Sequence, residues 1–273
     1  MLQVKKKSER KLLVQWTVAL SAVLAVMVCV ALLLRPPAPE RIQEPPVETT
    51  SRPRPTTSNE AFVYDDFGFL SCTTRPSIPG IDVSHHQGII DWEQVADAGV
   101  EFAFIRLAYR GFKDGELHAD EQVHQNLAGA KAAGLKIGAY IFSQAISTQE
   151  AAEEAAYALA LLGDTKLDFP LVYDWEYVID TARTAEVSAD TLMACVETFC
   201  AAVETAGAEP MVYFNQDLAK TKLELDRLDC PLWLAKYADE LRYSHQVRCW
   251  QYTDRGQIPG ISEYVDIDLY FPQ

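Results

Sequence analysis

The chain is poor in the features that mark metal sites and nucleic-acid binders. Its 273 residues include six cysteines and five histidines, with no CxxC pair and the histidines scattered, which argues against a zinc site. His85 and His86 are adjacent, so on a strand they point different ways, and no third ligand stands at metal spacing; they are expected as polar groups at the rim of a cleft. Basic charge is scarce as well. The formal net charge is -15, and Lys5, Lys6, Lys7, Arg10 and Lys11 against Glu9 make residues 1–11 +4, so residues 12–273 sum to -19. So acidic a body repels phosphate backbones and anionic lipid, and no nucleic-acid partner is expected. No internal repeat is evident.

What is present begins with a charge-free run. Leu12 to Leu34 spans 23 residues interrupted only by Gln15, Thr17 and Ser21, long enough as a helix to cross a bilayer. The run ends in Leu32-Leu33-Leu34-Arg35-Pro36 without a small-x-small cleavage pattern, so an uncleaved transmembrane anchor is favoured over a signal peptide. Val28 is too bulky for a usual lipobox before Cys29. The basic residues before the run place 1–11 as a cytoplasmic tail and everything after Arg35 outside, a single-pass protein of a bacterial cell membrane. Residues 35–60 hold seven prolines and few large apolar side chains, the composition of an extended spacer. Residues 61–78 are transitional, with Phe62, Tyr64, Phe67 and Phe69 available to pack on the domain that begins at residue 79. Outside the span remain Cys72, Cys195, Cys200, Cys230 and Cys249, an odd number, so they cannot all pair within one chain. One or two disulfides are open to them in an oxidising compartment, Cys230 with Cys249 first, because both flank strands predicted to be neighbours.

From residue 79 to 273 short apolar runs alternate with stretches of helical period. Ile81–Val83, Phe102–Leu107, Ile137–Phe142, Leu171–Tyr173, Met211–Phe214, Leu232–Leu234, Val247–Tyr252 and Ile267–Tyr270 read as strands. Helices are predicted over 91–98, 119–133, 148–162 and 188–206, with Gly99, Gly134, Gly163 and Gly207 at their ends. Strand and helix alternating in this way imply parallel strands joined by right-handed crossovers, and eight strands close a barrel. After Ala219 the helices thin out, so a regular eightfold β/α barrel is not expected. The fold class is α/β, a TIM-like β/α barrel preceded by the transmembrane helix.

The chemistry gathers on acids at strand ends. In Leu171-Val172-Tyr173-Asp174-Trp175-Glu176 an apolar strand ends in two acids one residue apart, and positions i and i+2 of a strand face one side. Two carboxylates held together cannot both ionise freely, so one keeps a proton, which is the pairing that glycosidic cleavage needs. An isolated DxE is a weak signal. Asp82 inside Gly80-Ile81-Asp82-Val83-Ser84 and the pair Asp266 and Asp268 in Tyr264-Val265-Asp266-Ile267-Asp268 strengthen it, because unpaired buried carboxylates are costly. Ion pairs to Arg106 or Lys236 are the structural alternative.

Together these segments resemble glycoside hydrolase family 25, the Chalaropsis-type lysozymes or N-acetylmuramidases. The resemblance runs through GIDVSHHQGIIDWEQV, FAFIRLAYRG, GLKIGAYIFSQA, FPLVYDWE, PMVYFN, PLWLAKY, WQYTDRGQIPGI and VDIDLY, in that order across 79–272. It implies a barrel of eight strands and about five helices, and hydrolysis of the β-1,4 bond between N-acetylmuramic acid and N-acetylglucosamine in peptidoglycan, without metal or cofactor. By the same resemblance Glu176 is the general acid/base, Asp174 its partner carboxylate, and Asp82 and Asp266 the other acids of the cleft. The DxE spacing is similar to that of enzymes in which the substrate 2-acetamido oxygen attacks the anomeric carbon, so net retention is expected. Tyr109, Tyr140, Trp175, Tyr213, Trp233, Trp250 and Tyr252 are the expected sugar platforms, with Asp268 as a further substrate-binding group. A monomeric ectodomain acting on glycan strands, with an optimum on the acid side of neutral, is the expectation. The alternatives are a wall-binding clamp without turnover, or a glycosidase of another N-acetylated glycan.

Overall fold

The computed structural model describes residues 61–272. The basic tail, the 12–34 run and residues 35–60 lie outside the described residues, and among those described no helix is long and apolar enough to cross a membrane.

Residues 61–72 form a hairpin, β1 (Phe62–Tyr64) and β2 (Leu70–Cys72), ahead of the barrel. Phe69 is buried and Phe62 packs edge-on against Trp250, with ring centroids 5.1 Å apart, whereas Tyr64 and Phe67 stay exposed. The barrel strands come next: β3 (Ile78–Val83), β4 (Phe102–Arg110), β6 (Lys136–Ser143), β7 (Leu171–Trp175), β8 (Pro210–Asn215), β9 (Leu232–Ala235), β10 (Cys249–Gly256) and β11 (Val265–Tyr270). They close through a β3–β4 pairing, while β5 (Leu117–Ala119) is a short strand outside the ring, paired to β4 alone. Five α-helices connect them: α1 (Trp92–Asp97), α2 (Val123–Ala132), α3 (Thr148–Leu162), α4 (Ala189–Thr205) and α5 (Gln216–Thr221).

The first four helices fall where the apolar period puts them. Asp91, Ser147 and Ser188 cap their first turns through side-chain oxygens that accept from Gln94, Glu150 and Thr191 backbone N–H groups. Gly134 and Gly207 follow α2 and α4 with φ of 83° and 82°, a conformation in which a Cβ is strained.

One strand departs from the expected all-parallel ring. β11 is antiparallel to both β10 and β3. Only residues 257–264 separate it from β10, too few for the crossover that a parallel pair requires. The reversal has a functional consequence. The start of β11, not its end, lies at the rim where the other strands finish, which brings Asp266 opposite Asp82.

Alternation along each strand sorts the apolar side chains into two cores. Ile81, Ala103, Ile105, Ile137, Tyr173, Val212 and Leu234 belong to the large layer shared with the helices, while Phe102, Phe104, Val172, Met211, Trp233 and Tyr270 fill the barrel interior. Each apolar side chain of this size stabilises by about 1.5–3 kcal/mol when buried. The inner aromatics fit because glycine faces them: a Cβ on Gly80 would lie 2.3 Å from the Phe102 ring, and one on Gly138 2.2 Å from the Phe104 ring. The interior is thus plugged at one end and open at the other.

Candidate active site

The open end holds a hollow of about 250 Å³ walled by Asp82, Asp174, Glu176 and Asp266, with Arg106, Tyr140, Tyr213, Trp233 and Gln251 among its other residues. Strand parity explains the gathering. Asp82 ends β3 beyond the inner Gly80, Asp174 follows the inner Val172 on β7, and Glu176 stands one residue past that strand on the same side.

Burial raises the affinity of both the Asp174 and the Glu176 carboxyl for a proton, and the charge of Asp82 adds to it at each. Asp174 is held well above the ordinary carboxylate range, first by burial and then by the charges of Glu176 and Asp82. Asp174 is the more deeply enclosed of the two, buried where Glu176 is half-buried.

Asp82 is pushed up by burial to about 6, and would stand higher but for two donors, Gln251 and Asp268. Gln251 Nε2 donates to Asp82 Oδ2 at 2.7 Å, and the Gln251 carbonyl accepts from the Tyr213 hydroxyl at 3.1 Å and the Tyr237 hydroxyl at 3.3 Å. Asp266 is pushed up to about 8 by burial and the neighbouring Asp82. The alternative of ion pairs to Arg106 or Lys236 does not hold. Arg106 is committed to the buried Asp120, Nε to Oδ2 at 2.9 Å, and acts on Asp82 and Asp174 only as a nearby charge; Lys236 Nζ donates to the Arg242 carbonyl at 3.0 Å.

The aromatic platforms divide. Tyr140, Tyr213 and Trp233 line the hollow, Trp233 with its face against Phe104 and its edge met by Tyr213. Tyr109 stands beside the hollow, where a shift of register after Arg106 in the β4–β6 pairing turns it toward Arg106 and His85. Trp175, Trp250 and Tyr252 are not brought there. Their side chains belong to the outer layer, with the Trp175 indole donating to the Ala145 carbonyl, the Trp250 indole to the Lys236 carbonyl, and the Tyr252 hydroxyl accepting from the Leu70 N–H. Parity decides this: Trp175 lies between Asp174 and Glu176, and Trp250 precedes the inward Gln251. Asp268 is also withdrawn from the hollow. It is fully buried one step below Asp82 and accepts from the Trp233 indole at 2.8 Å, and burial pushes its carboxyl well above the ordinary carboxylate range. Of the two histidines, His86 lines the hollow and His85 faces Asp120.

Several groups escaped sequence reasoning. Gln251 and Asp120 are single polar residues whose partners lie far away in sequence, and no local pattern marks them. Gln144 is fully buried; its Nε2 donates to the Glu176 carbonyl at 2.7 Å and its Oε1 accepts from the Thr184 hydroxyl at 2.9 Å. Arg183 donates to the Gln144 carbonyl at 2.8 Å and pairs with Glu150. The segment after Glu176 is thereby fastened to the backbone of the acid itself.

The cysteines also differ from expectation. Cys249 is buried in the barrel interior, far from any pairing with Cys230, whose sulfur faces that of Cys200.

A closed β/α barrel with two neighbouring buried carboxyls beneath aromatic walls is an arrangement suited to glycoside hydrolysis. The chain belongs to the glycosyl hydrolases family 25, whose pattern it matches over residues 81–261. It is 32% identical to the YegX protein of Escherichia coli K12 over 203 residues, covering 71% of this chain and 70% of that one. It is 29% identical to the autolytic lysozyme of Clostridium acetobutylicum over 192 residues, 70% of this chain and 55% of that one. Its fold superposes with a TM-score of 0.66 and 26% identity on the modular autolysin LytC from Streptococcus pneumoniae, solved in complex with a synthetic peptidoglycan ligand; the match covers 78% of this chain and 52% of that one. The chain thus spans about half of the LytC chain and of the clostridial lysozyme.

Proposed function

We propose that the protein is a lysozyme of the N-acetylmuramidase type, cutting the β-1,4 bond between N-acetylmuramic acid and N-acetylglucosamine in peptidoglycan. The observation that carries this reading is the placement of Asp174 and Glu176, both buried enough to favour the protonated form, in one aromatic-walled hollow. The autolytic lysozyme and peptidoglycan-bound LytC among its relatives support the choice of substrate.

Glu176 is the general acid. A sugar 2-acetamido group donating its N–H to Asp174 stabilises that carboxylate in ionised form, which leaves the proton of the pair on Glu176. Glu176 then protonates the leaving oxygen while the amide oxygen, oriented by Asp174, attacks the anomeric carbon. Asp82 and Asp266 face the positive charge that develops on the sugar ring. The outcome is net retention. The 12–34 run tethers the domain to the outer face of a bacterial membrane, with the proline-rich spacer setting its reach into nearby wall.

Purified peptidoglycan digested by the full chain, reduced with borohydride and analysed by mass spectrometry, tests the bond. New ends in reduced N-acetylmuramic acid are expected. New ends in reduced N-acetylglucosamine would overturn the specificity, and absence of new ends would overturn the hydrolase reading. Proton NMR of the first product tests the mechanism, with an initial β anomer expected and an α anomer ruling retention out.

A further inference from the structure

We propose that Cys200 and Cys230 close into a disulfide that fastens helix α4 to the segment entering strand β9. The two sulfurs stand 3.9 Å apart across 30 residues of sequence. A disulfide holds its sulfurs about 2 Å apart, so the contact has roughly 2 Å to close.

The other cysteines are poor competitors. Cys195 and Cys249 are buried, with burial pushing the first thiol up to about 11 and the second well above its ordinary range. Cys72 ends strand β2 of the hairpin and contacts the Thr74 hydroxyl at 3.3 Å. Cys200 and Cys230 are both half-buried, so an oxidant can reach them. The Cys200 thiol donates to the Cys230 sulfur, so the two are already in contact when exchange begins.

The step balances with a disulfide of the thiol–disulfide exchange class as oxidant. The Cys230 thiolate attacks one sulfur of that disulfide and expels a thiolate. The Cys200 thiol, deprotonated, then attacks the Cys230 side of the mixed disulfide and expels the second. Two protein thiols are oxidised, and the reagent leaves as two thiols.

The location gives the bond its purpose. Helix α4 packs on β7 and β8, the strands that bear Asp174 and Tyr213, and Cys230 lies two residues before β9, which bears Trp233. The cross-link binds the backing of the acid strand to the neighbouring wall. Its formation in the cell rests on the extracytoplasmic orientation proposed for the domain, because the cytoplasm keeps thiols reduced.

The full chain, purified in detergent, is incubated with oxidised glutathione, alkylated and digested without reduction. A peptide pair joining Cys200 to Cys230, lighter by two hydrogens and absent from Cys230→Ser, is expected. Its formation should raise the Tm by roughly 5–10 °C relative to the reduced protein, while Cys72→Ser leaves both readouts unchanged. Alkylation of both thiols after oxidation, or a bond from Cys230 to Cys72, overturns the proposal. Trapping thiols in intact cells separates the two readings: the bond present supports both, whereas thiols free in cells but joined in vitro retain the pairing and overturn the outward orientation.

Discussion

The Gln144 side-chain amide donates a 2.7 Å hydrogen bond to the main-chain carbonyl of Glu176. Because Thr184 anchors the other end of that amide at 2.9 Å, Glu176 is held at its backbone. A shift of about 1 Å in a catalytic group can reduce the rate by roughly 100-fold. Gln144→Leu is therefore expected to stay folded, to lower kcat by about 10- to 100-fold with little change in KM, and to move the alkaline limb of the pH profile. An unaltered kcat and pH profile in the folded variant would show that Gln144 has no hold on the acid.

Asp268 accepts from the Trp233 indole, and burial pushes its carboxyl well above the ordinary carboxylate range. An asparagine amide keeps that acceptor without a charge, so Asp268→Asn should fold normally and remain active. Asp268→Leu strands the buried Trp233 N–H, which costs about 1–3 kcal/mol. Chemical denaturation of the two variants checks the contrast. Equal destabilisation would mean that Asp268 acts as a buried anion instead.

Stability should fall as pH rises. The folded pKa of Asp82 is about 6, of Glu154 about 7 and of Asp266 about 8, each raised chiefly by burial. A carboxyl whose folded pKa exceeds its unfolded value binds more protons in the native state, so its destabilisation is absent below about pH 4 and complete above the folded pKa. Asp120 and Glu150 have lowered values and weaken the fold only as they protonate at lower pH. The Tm is expected to peak near pH 5 and decline to pH 8. A Tm that is flat or rising across that window contradicts the burial of these acids.

Interior packing can be tested apart from chemistry. Gly138→Ala would set a methyl 2.2 Å from the Phe104 ring, and overpacking of this kind destabilises by about 1–3 kcal/mol. Unfolding in urea measures the loss; a neutral variant would mean that the ring has room to move.

The barrel and its acids are legible in the sequence because both depend on short-range rules. Alternation alone brings Asp82, Asp174 and Glu176 to one side, and capping signals bound the first four helices. What escapes depends on contacts between distant segments. The antiparallel β11 arises from a connection too short for a crossover, and the register shift in β4 that reorients Tyr109 leaves no local mark. Trp175 and Trp250 read as sugar platforms for being aromatic near strand ends, although strict parity with Asp174 and Gln251 already sends them outward. Cys200 facing Cys230 requires the packing of α4, which periodicity does not specify.

The most direct measurement compares reducing ends released from purified peptidoglycan by the native chain and by Glu176→Gln, an isosteric change that holds no acid proton. With Glu176 as the general acid, the native protein releases ends steadily and the variant loses roughly 100-fold or more of that rate. Equal release by the two would contradict that role.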